Sequence, residues 1–155
     1  MGDLGGQRRG LTMAGSALWS ALLVFLGAGV GAVVRWGFAL WWNAAEPGLP
    51  WGTMAANLLG GLGVGLCLAF LSQAADAGLS DETVRAWRLF AITGFLGGLT
   101  TFSTFSAEVT ALIVQSRWAE AAAWAATHLA GSLVLTALGW WAGAQIALWG
   151  ARPIL

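Results

Sequence analysis

The residues of this chain that could do chemistry are few, and they stand in long apolar runs. The strongly polar side chains there are Arg35, Asn57, Glu108 and His128. Such groups are costly inside hydrocarbon unless they face a partner or a water-filled cavity, so each is a candidate functional residue. One histidine, one cysteine and a lone intramembrane glutamate cannot assemble a hydrolytic triad or a multi-ligand zinc site. The sequence therefore predicts a protein that is not an enzyme.

The densest polar cluster lies in the third apolar run, in the segment Gly97-Gly-Leu-Thr-Thr-Phe-Ser-Thr-Phe-Ser106. A Gly-Gly pair followed by two β-branched threonines weakens a helix. A broken membrane helix frees backbone carbonyls that can coordinate a cation or line a cavity. We therefore predict a break at mid-membrane. The alternative is an unbroken helix whose hydroxyls bond to neighbouring helices.

A second polar group follows in the last apolar run. His128, Ser132 and Thr136 recur every four residues, so they share one stripe of a helix. The stripe favours a polar pathway through the membrane. A histidine that simply bonds to a neighbouring helix is the alternative.

The elements that must position these residues follow from composition. Of 155 residues, 58% are hydrophobic and 9% charged, with a mean hydropathy of +0.74, whereas soluble domains carry roughly 25% charged residues. Four stretches reach the roughly 20 apolar residues of a membrane helix, at 16–42, 51–71, 88–115 and 118–149. We predict an all-α, multi-pass membrane protein with one four-helix domain over residues 1–155. The lone Cys67 is interpreted as a small core residue.

The distribution of charge excludes one class of partner and gives a weak prediction of membrane orientation. Seven arginines balance seven carboxylates, so no basic face is available for nucleic acid. With four spans, one side holds Arg8, Arg9, Arg85, Arg88 and Arg152, and the other holds Arg35 and Arg117. This bias predicts termini inside the cell. If Met13 is the true start, three arginines face two and the bias nearly vanishes.

Glycines spaced by four recur in every span, as the pairs Gly27 and Gly31, Gly61 and Gly65, Gly94 and Gly98, and Gly139 and Gly143. Such pairs let helix backbones approach closely. We expect them to support close packing, chiefly between subunits. General tolerance of glycine in membrane helices is the alternative.

Three segments of the chain together resemble the CrcB/Fluc fluoride channel family over essentially the whole length. They are 27–36, 52–60 and 94–106, and the third is the most specific. The resemblance implies a fluoride-selective channel that exports fluoride passively across the inner cell membrane. It also implies an antiparallel dimer of two copies of this chain, inserted oppositely, with two pores and a central structural sodium ion.

The resemblance further implies roles for individual residues. Backbone carbonyls of Gly97 and Thr100 from both copies would hold the sodium, for which hard oxygen ligands are suited. The rings of Phe102 and Phe105 would line the fluoride path with their positive edges. Asn57 would donate amide hydrogen bonds to fluoride.

The remaining implied roles are more general. Arg35 would draw anions into a vestibule or tie the dimer together, and Glu108 would lie near the pore. Hydroxyl donors along the path would come from Ser103, Thr104, Ser132 and Thr136. His128 stands where the family is expected to have a tyrosine. Because histidine ordinarily titrates with a pKa of about 6.5, we predict that fluoride flux depends on acidity near that value.

Two other classes remain as alternatives. Small multidrug transporters also form antiparallel four-helix dimers, but they rely on a glutamate in the first span, where this chain has only Arg35. A non-transporting membrane assembly subunit would not need the hydroxyl and phenylalanine cluster. Flux that survives Phe102→Ile or Asn57→Ala would favour that second class.

Overall fold

The computed structural model describes the backbone of residues 4–43 and 48–150 and the side chains of residues 15–43 and 48–146. Four helical regions in it are long and apolar enough to cross a membrane. They are Gly15–Trp42, Trp51–Asp76, Asp81–Val114 and Trp118–Ile146. The prediction of an all-α protein with four spans is confirmed. Residues 44–47, between the first two spans, the side chains of Arg8 and Arg9, and Arg152 lie outside the described residues.

The elements follow one another in a simple order along the chain. They are α1 (Leu4–Trp42), α2 (Trp51–Asp76), α3 (Asp81–Trp87), a π-helical segment (Arg88–Leu96), α4 (Gly97–Leu99), α5 (Phe102–Val114) and α6 (Trp118–Gly150). Helix α2 packs along α6, and α1 packs against the π-helical segment and α4. Helix α5 continues the third span and packs against α6.

The third span starts earlier than the predicted residue 88, and the second runs past the predicted residue 71. Both predicted bounds followed hydropathy, whereas local hydrogen bonding extends the helices into polar sequence. The Ser80 hydroxyl caps α3 by accepting from the Thr83 N–H at 3.3 Å. Asp81 and Glu82 then occupy its first turn, where the helix dipole favours negative charge.

The predicted break in the third span is confirmed. Thr100 and Thr101 are both extended, with φ −79°, ψ 154° and φ −150°, ψ 121°. The Thr101 hydroxyl then starts α5 by accepting from the Thr104 N–H at 3.2 Å. The preceding π-helical turn was not predicted, and such turns occur mostly as local distortions, frequently at functional sites.

The prediction that the spaced glycines support close packing is confirmed for contacts within the chain, and the expected packing between subunits stays a prediction. A Cβ at Gly31 would overlap the backbone carbonyl oxygen of Phe95, and one at Gly65 would overlap that of Thr136. The first contact joins α1 to the third span, and the second joins α2 to α6. Within the membrane this close approach supplies the van der Waals contact that holds helices together.

The buried core is small for a chain of this size. One cluster is formed by Ala56, Leu96 and Leu99, and half-buried Cys67 packs against it. Many large apolar side chains are instead exposed along all four spans, among them Phe25 at 73% and Leu133 at 73%. Surfaces of this kind face lipid or a second membrane protein rather than water.

Candidate functional site

The site is organised around the break in the third span, and Asn57 of α2 holds that break open. Its Oδ1 accepts a hydrogen bond from the Thr101 N–H at 2.7 Å. Its Nδ2 donates to the Thr101 carbonyl at 3.0 Å and lies 3.0 Å from Nδ1 of His128. The side-chain amide therefore replaces the helical partners of Thr101 and has both of its N–H groups engaged.

The carbonyls before the break also lose their ordinary helical donors. The Thr101 N–H that would reach the Gly97 carbonyl in a continuous helix goes to Asn57 instead. The Gly98 carbonyl accepts from Nε of Arg35 in α1 at 3.1 Å. Arg35 thus caps the negative end of the half-helix, where a cation is favourable.

Oxygen ligands for the predicted sodium ion are present at this point. Among the side chains of residues 15–43 and 48–146, no group of three or more His, Cys, Asp or Glu could hold a metal. The Gly97 carbonyl has lost its helical donor, and Gly97 is exposed on the surface of the chain. A hard, neutral oxygen of this kind suits Na⁺, so the backbone around Gly97 and Thr100 fits the predicted ion.

His128 of α6 is the most buried polar side chain of the site, with 3% of its surface exposed. Its ring contacts those of Phe105 and Trp124, with centroids 4.8 Å and 5.4 Å away. Nδ1 meets the Asn57 amide, whereas Nε2 is buried and has no hydrogen-bond partner among the described residues. The imidazole is therefore packed tightly, with one ring nitrogen bonded to Asn57 and the other enclosed.

A cavity of about 360 Å³ opens beside this cluster. It is lined by Asn57, Gly61, Val64, Thr100, Thr101, Phe102, Phe105, His128, Leu129, Ser132 and Leu133. The rings of Phe102 and Phe105 contact each other edge to face at 5.4 Å. Phe105 is 7% exposed and Phe102 is 73% exposed, so one ring belongs to the core and the other stands at the open rim.

Hydroxyl groups follow the cavity but differ in how they are bonded. The Thr136 hydroxyl donates to the Gly61 carbonyl at 3.0 Å and the Ser132 carbonyl at 2.8 Å. The hydroxyls of Ser103 and Thr104 bond to that of Thr101. Among the described residues, the Ser132 hydroxyl has no hydrogen-bond partner, so it is the one best placed to bond to something in the cavity.

Glu108 lies one step outside the cavity lining. Its Oε2 accepts from Nε1 of Trp124 at 3.2 Å, and the Trp124 ring then contacts His128. Trp124 is a part of the site that sequence reasoning missed. The available signal was its position four residues before His128, on the same stripe of α6.

The fold and the cavity define a multi-pass membrane protein with a polar, phenylalanine-lined cavity at a broken helix. The family model described as "CrcB-like protein, Camphor Resistance (CrcB)" matches residues 22–140. The chain belongs to this family, as its resemblance predicted.

Several curated relatives match this chain over nearly their whole length. One from Cupriavidus taiwanensis is 53% identical over 124 residues, which are 80% of this chain and 94% of that protein. One from Cupriavidus necator is 56% identical over 118 residues, 76% of this chain and 89% of that protein. One from Marinobacter nauticus is 49% identical over 121 residues, 78% of this chain and 91% of that protein. Each is called "Fluoride-specific ion channel FluC".

Proposed function

We propose that this protein is a fluoride-selective channel, not an enzyme, and that it exports fluoride passively across the inner cell membrane. The names of its relatives support the substrate. The chemistry of the cavity is the observation that carries the proposal. Among the described residues, its lining holds no Asp, Glu, Lys or Arg, but it does hold hydroxyls, an amide, an imidazole and two phenylalanine rings.

A lining of this kind suits conduction of an anion. A full positive charge would bind fluoride tightly and slow its release, whereas conduction needs sites that are weak and serial. The edges of Phe102 and Phe105 offer partial positive charge, and hydroxyls such as that of Ser132 offer neutral hydrogen-bond donors. A membrane potential that is negative inside drives an anion outward by about 2.3 kcal/mol per 100 mV, so no coupled energy source is required.

The conducting form is proposed to be an antiparallel dimer of two identical chains with two pores. Phe102 stands at the cavity rim with 73% of its surface exposed, so a second chain is needed to close the path around it. Gly97 is exposed at the same break. The carbonyls of Gly97 and Thr100 from both chains would hold the structural sodium, which supplies positive charge that offsets the gathered carbonyl oxygens.

The outer residues have supporting roles in this proposal. Arg35 would cap the half-helix through Gly98 and add positive potential near the entrance. Ser103, Thr104 and Ser132 would provide hydroxyls along the path, whereas the Thr136 hydroxyl donates to the Gly61 carbonyl and would support the helix packing beside it. Glu108 accepts a hydrogen bond from Trp124 and would lie at the Trp124 end of the path.

Fluoride efflux from liposomes tests the proposal. The purified chain is reconstituted in vesicles loaded with potassium fluoride, valinomycin is added, and efflux is followed with a fluoride electrode. Parallel vesicles contain potassium chloride. We expect fast fluoride loss with chloride retained, and we expect Phe102→Ile to abolish the fluoride loss because it removes the rim ring.

Phe25→Ile is the matched control for that substitution. Phe25 is as exposed as Phe102, at 73%, but lies on α1 and does not line the cavity. Flux should survive its replacement. Absence of efflux from folded wild-type dimers would contradict the proposal, and flux that survives Phe102→Ile would point to a path elsewhere in the molecule.

A further inference from the structure

Another cavity lies between α1 and α3, where the third span begins and well before its break. It has a volume of about 330 Å³. Its lining combines aromatic rings, aliphatic groups and one carboxylate: Trp19, Leu23, Glu82, Thr83, Ala86, Trp87 and Phe90. None of these residues lines the cavity at the break, so the proposed fluoride path gives this cavity no role.

The start of the third span lies at the level of the lipid headgroups. The span Asp81–Val114 has 34 residues, which at about 1.5 Å per residue cover roughly 50 Å, whereas the hydrocarbon core is about 30 Å thick. Trp19 and Trp87 beside the cavity are 54% and 53% exposed, and tryptophan rings favour the headgroup level of a bilayer. The ionisable residues of the span, apart from Glu108, stand in its first eight positions: Asp81, Glu82, Arg85 and Arg88.

A smaller and more polar cavity of about 40 Å³ adjoins the first, with which it shares Trp19, Leu23, Glu82 and Ala86. Its other lining residues are Ser16, Ser20, Arg85 and Leu89. We call the two cavities together the α1–α3 groove. Charged groups and hydroxyls lie at one end of the groove. Phe90 lies roughly 10 Å deeper along the span than Glu82, so the other end is apolar and faces the membrane interior.

The two charges in the groove are opposite and are not paired with each other. Glu82 and Arg85 are three residues apart and so share one face of α3. Among the described residues, Glu82 has no ion pair, and the Arg85 guanidinium has only a long bond to the Ser20 hydroxyl, at 3.5 Å. The groove therefore offers an acceptor for a cation and a donor for an anion side by side.

We infer that the α1–α3 groove binds a phospholipid whose headgroup is phosphoethanolamine. The Arg85 guanidinium and the Ser20 hydroxyl donate to the phosphate. Glu82 accepts from the primary ammonium group, which the rings of Trp19 and Trp87 also attract. The acyl chains leave the groove at its apolar end, toward the hydrocarbon.

The charges of the groove favour this headgroup over the other common ones. A phosphoglycerol headgroup matches Arg85 but brings a negative charge beside Glu82 with no cation to offset it. A phosphocholine headgroup carries a positive charge, but its trimethylated nitrogen has no N–H to donate to Glu82. Phosphoethanolamine supplies both the anion and the N–H donors.

Competition among three lipids tests the inference. The purified full-length chain in detergent is mixed with equal amounts of phosphatidylethanolamine, phosphatidylcholine and phosphatidylglycerol that carry the same acyl chains. Mass spectrometry of the intact complexes then counts each lipid bound. We expect about fivefold more phosphatidylethanolamine than either of the others, as for one partly exposed ion pair. Equal binding of the three lipids, or a preference for phosphatidylglycerol, would overturn the inference.

Substitutions separate the two charges. Glu82→Gln should remove the preference over phosphatidylcholine, and Arg85→Gln should weaken binding of both zwitterionic lipids. Asp81→Asn and Arg88→Gln are the matched controls, because they remove the same charges from neighbouring positions that line neither cavity. Both controls should bind lipid as wild type does. If they lose the preference as fully as the groove variants, general surface charge explains it and the groove is not the site.

Photocrosslinking of wild type decides the matter even if the variants do not fold. A phosphatidylethanolamine with a diazirine next to its glycerol is activated in vesicles that contain the protein, and the modified peptides are mapped. We expect crosslinks within 16–23 and 82–90, suppressed by excess unlabelled phosphatidylethanolamine but not by phosphatidylcholine. Crosslinks spread evenly over the ends of all four spans, or suppressed equally by both lipids, would show nonselective surrounding lipid and would overturn the inference.

Discussion

Helix α2 is joined to the rest of the molecule in two different ways along its length. Toward α6, Gly65 lets two helix backbones touch, and a side chain there would overlap the Thr136 carbonyl. Toward the third span, Asn57 reaches into a break and bonds to the N–H and the carbonyl of Thr101. The first joint is made by shape and the second by hydrogen bonds.

The difference indicates which joint can take part in function. A contact made by shape offers nothing to a passing ion, and its loss only leaves a gap or an overlap. Hydrogen-bonding groups can exchange partners, and those of Asn57 continue directly to His128 and the cavity. The polar joint is therefore both a structural support and part of the proposed pathway, whereas the glycine joint is support alone.

Removing the polar joint should have the largest effect. In Asn57→Ala, the Thr101 N–H and carbonyl and Nδ1 of His128 all lose a partner, at about 1–3 kcal/mol for each buried group left unsatisfied. We expect a much lower temperature of aggregation, measured by gel filtration after heating, and loss of fluoride flux.

Asn43→Ala is the control, because Asn43 Oδ1 also accepts a backbone N–H at 2.7 Å, that of Gly52. This bond lies away from the cavity lining. We expect reduced thermal stability with flux retained. If both variants lose flux equally, the claim that the Asn57 joint belongs to the pathway is wrong.

Substitution in the glycine joint should cause the next largest loss of thermal stability, without changing the preference for fluoride over chloride. Gly65→Ala pushes a methyl group into the Thr136 carbonyl, and overpacking of this kind costs about 1–3 kcal/mol. Gly29→Ala is the matched control, since a Cβ there meets nothing within 4 Å. Thermal stability should fall for Gly65→Ala alone, with any surviving protein still preferring fluoride to chloride. Equal stability of the two variants would show that the contact is dispensable.

The two joints also differ in how far the sequence could predict them. The break was predictable because Gly97, Gly98, Thr100 and Thr101 are local signals that weaken a helix. The residue that stabilises the break was not, because Asn57 is 44 positions from Thr101 and no local pattern pairs them. Glycine spacing correctly indicated close packing but does not specify the partner helix. The sequence therefore could not show that Gly31 packs on the third span and Gly65 on α6.

The candidate site shows the same limit. The spacing of His128, Ser132 and Thr136 correctly placed them on one stripe of α6, but only two of them line the cavity. Thr136 turns to the Gly61 carbonyl instead. Helical periodicity predicts on which face of the helix a residue lies. The hydrogen bond that its side chain makes depends instead on the polar groups of the neighbouring helix.

Substitution of Arg35 tests the half-helix that precedes the break in the third span. Its Nε donates to the Gly98 carbonyl at 3.1 Å, and hydrogen bonds to charged groups contribute about 1.5–3 kcal/mol. We expect Arg35→Met to lower thermal stability by an amount in this range. Arg85→Met is the control, because Arg85 is exposed and its bond to Ser20 is long at 3.5 Å. If the two variants are equally stable, the hydrogen bond from Arg35 to the Gly98 carbonyl contributes nothing measurable to stability.

The smallest effect is expected where the two kinds of joint coincide. The Thr136 hydroxyl donates across the glycine joint to the Gly61 carbonyl at 3.0 Å, and it donates to the Ser132 carbonyl in its own helix at the same time. Hydrogen bonds between membrane helices average about 0.6 kcal/mol, so Thr136→Val should lower thermal stability slightly. The control Thr127→Val removes only a bond within α6, to the Ala123 carbonyl, and should leave thermal stability unchanged.

Because Thr136 does not line the cavity, fluoride flux through Thr136→Val should also stay near that of wild type. A marked loss of flux in folded Thr136→Val protein would mean that the pathway extends past Ser132 into the glycine joint. The separation between structural support and pathway along α2 would then be wrong.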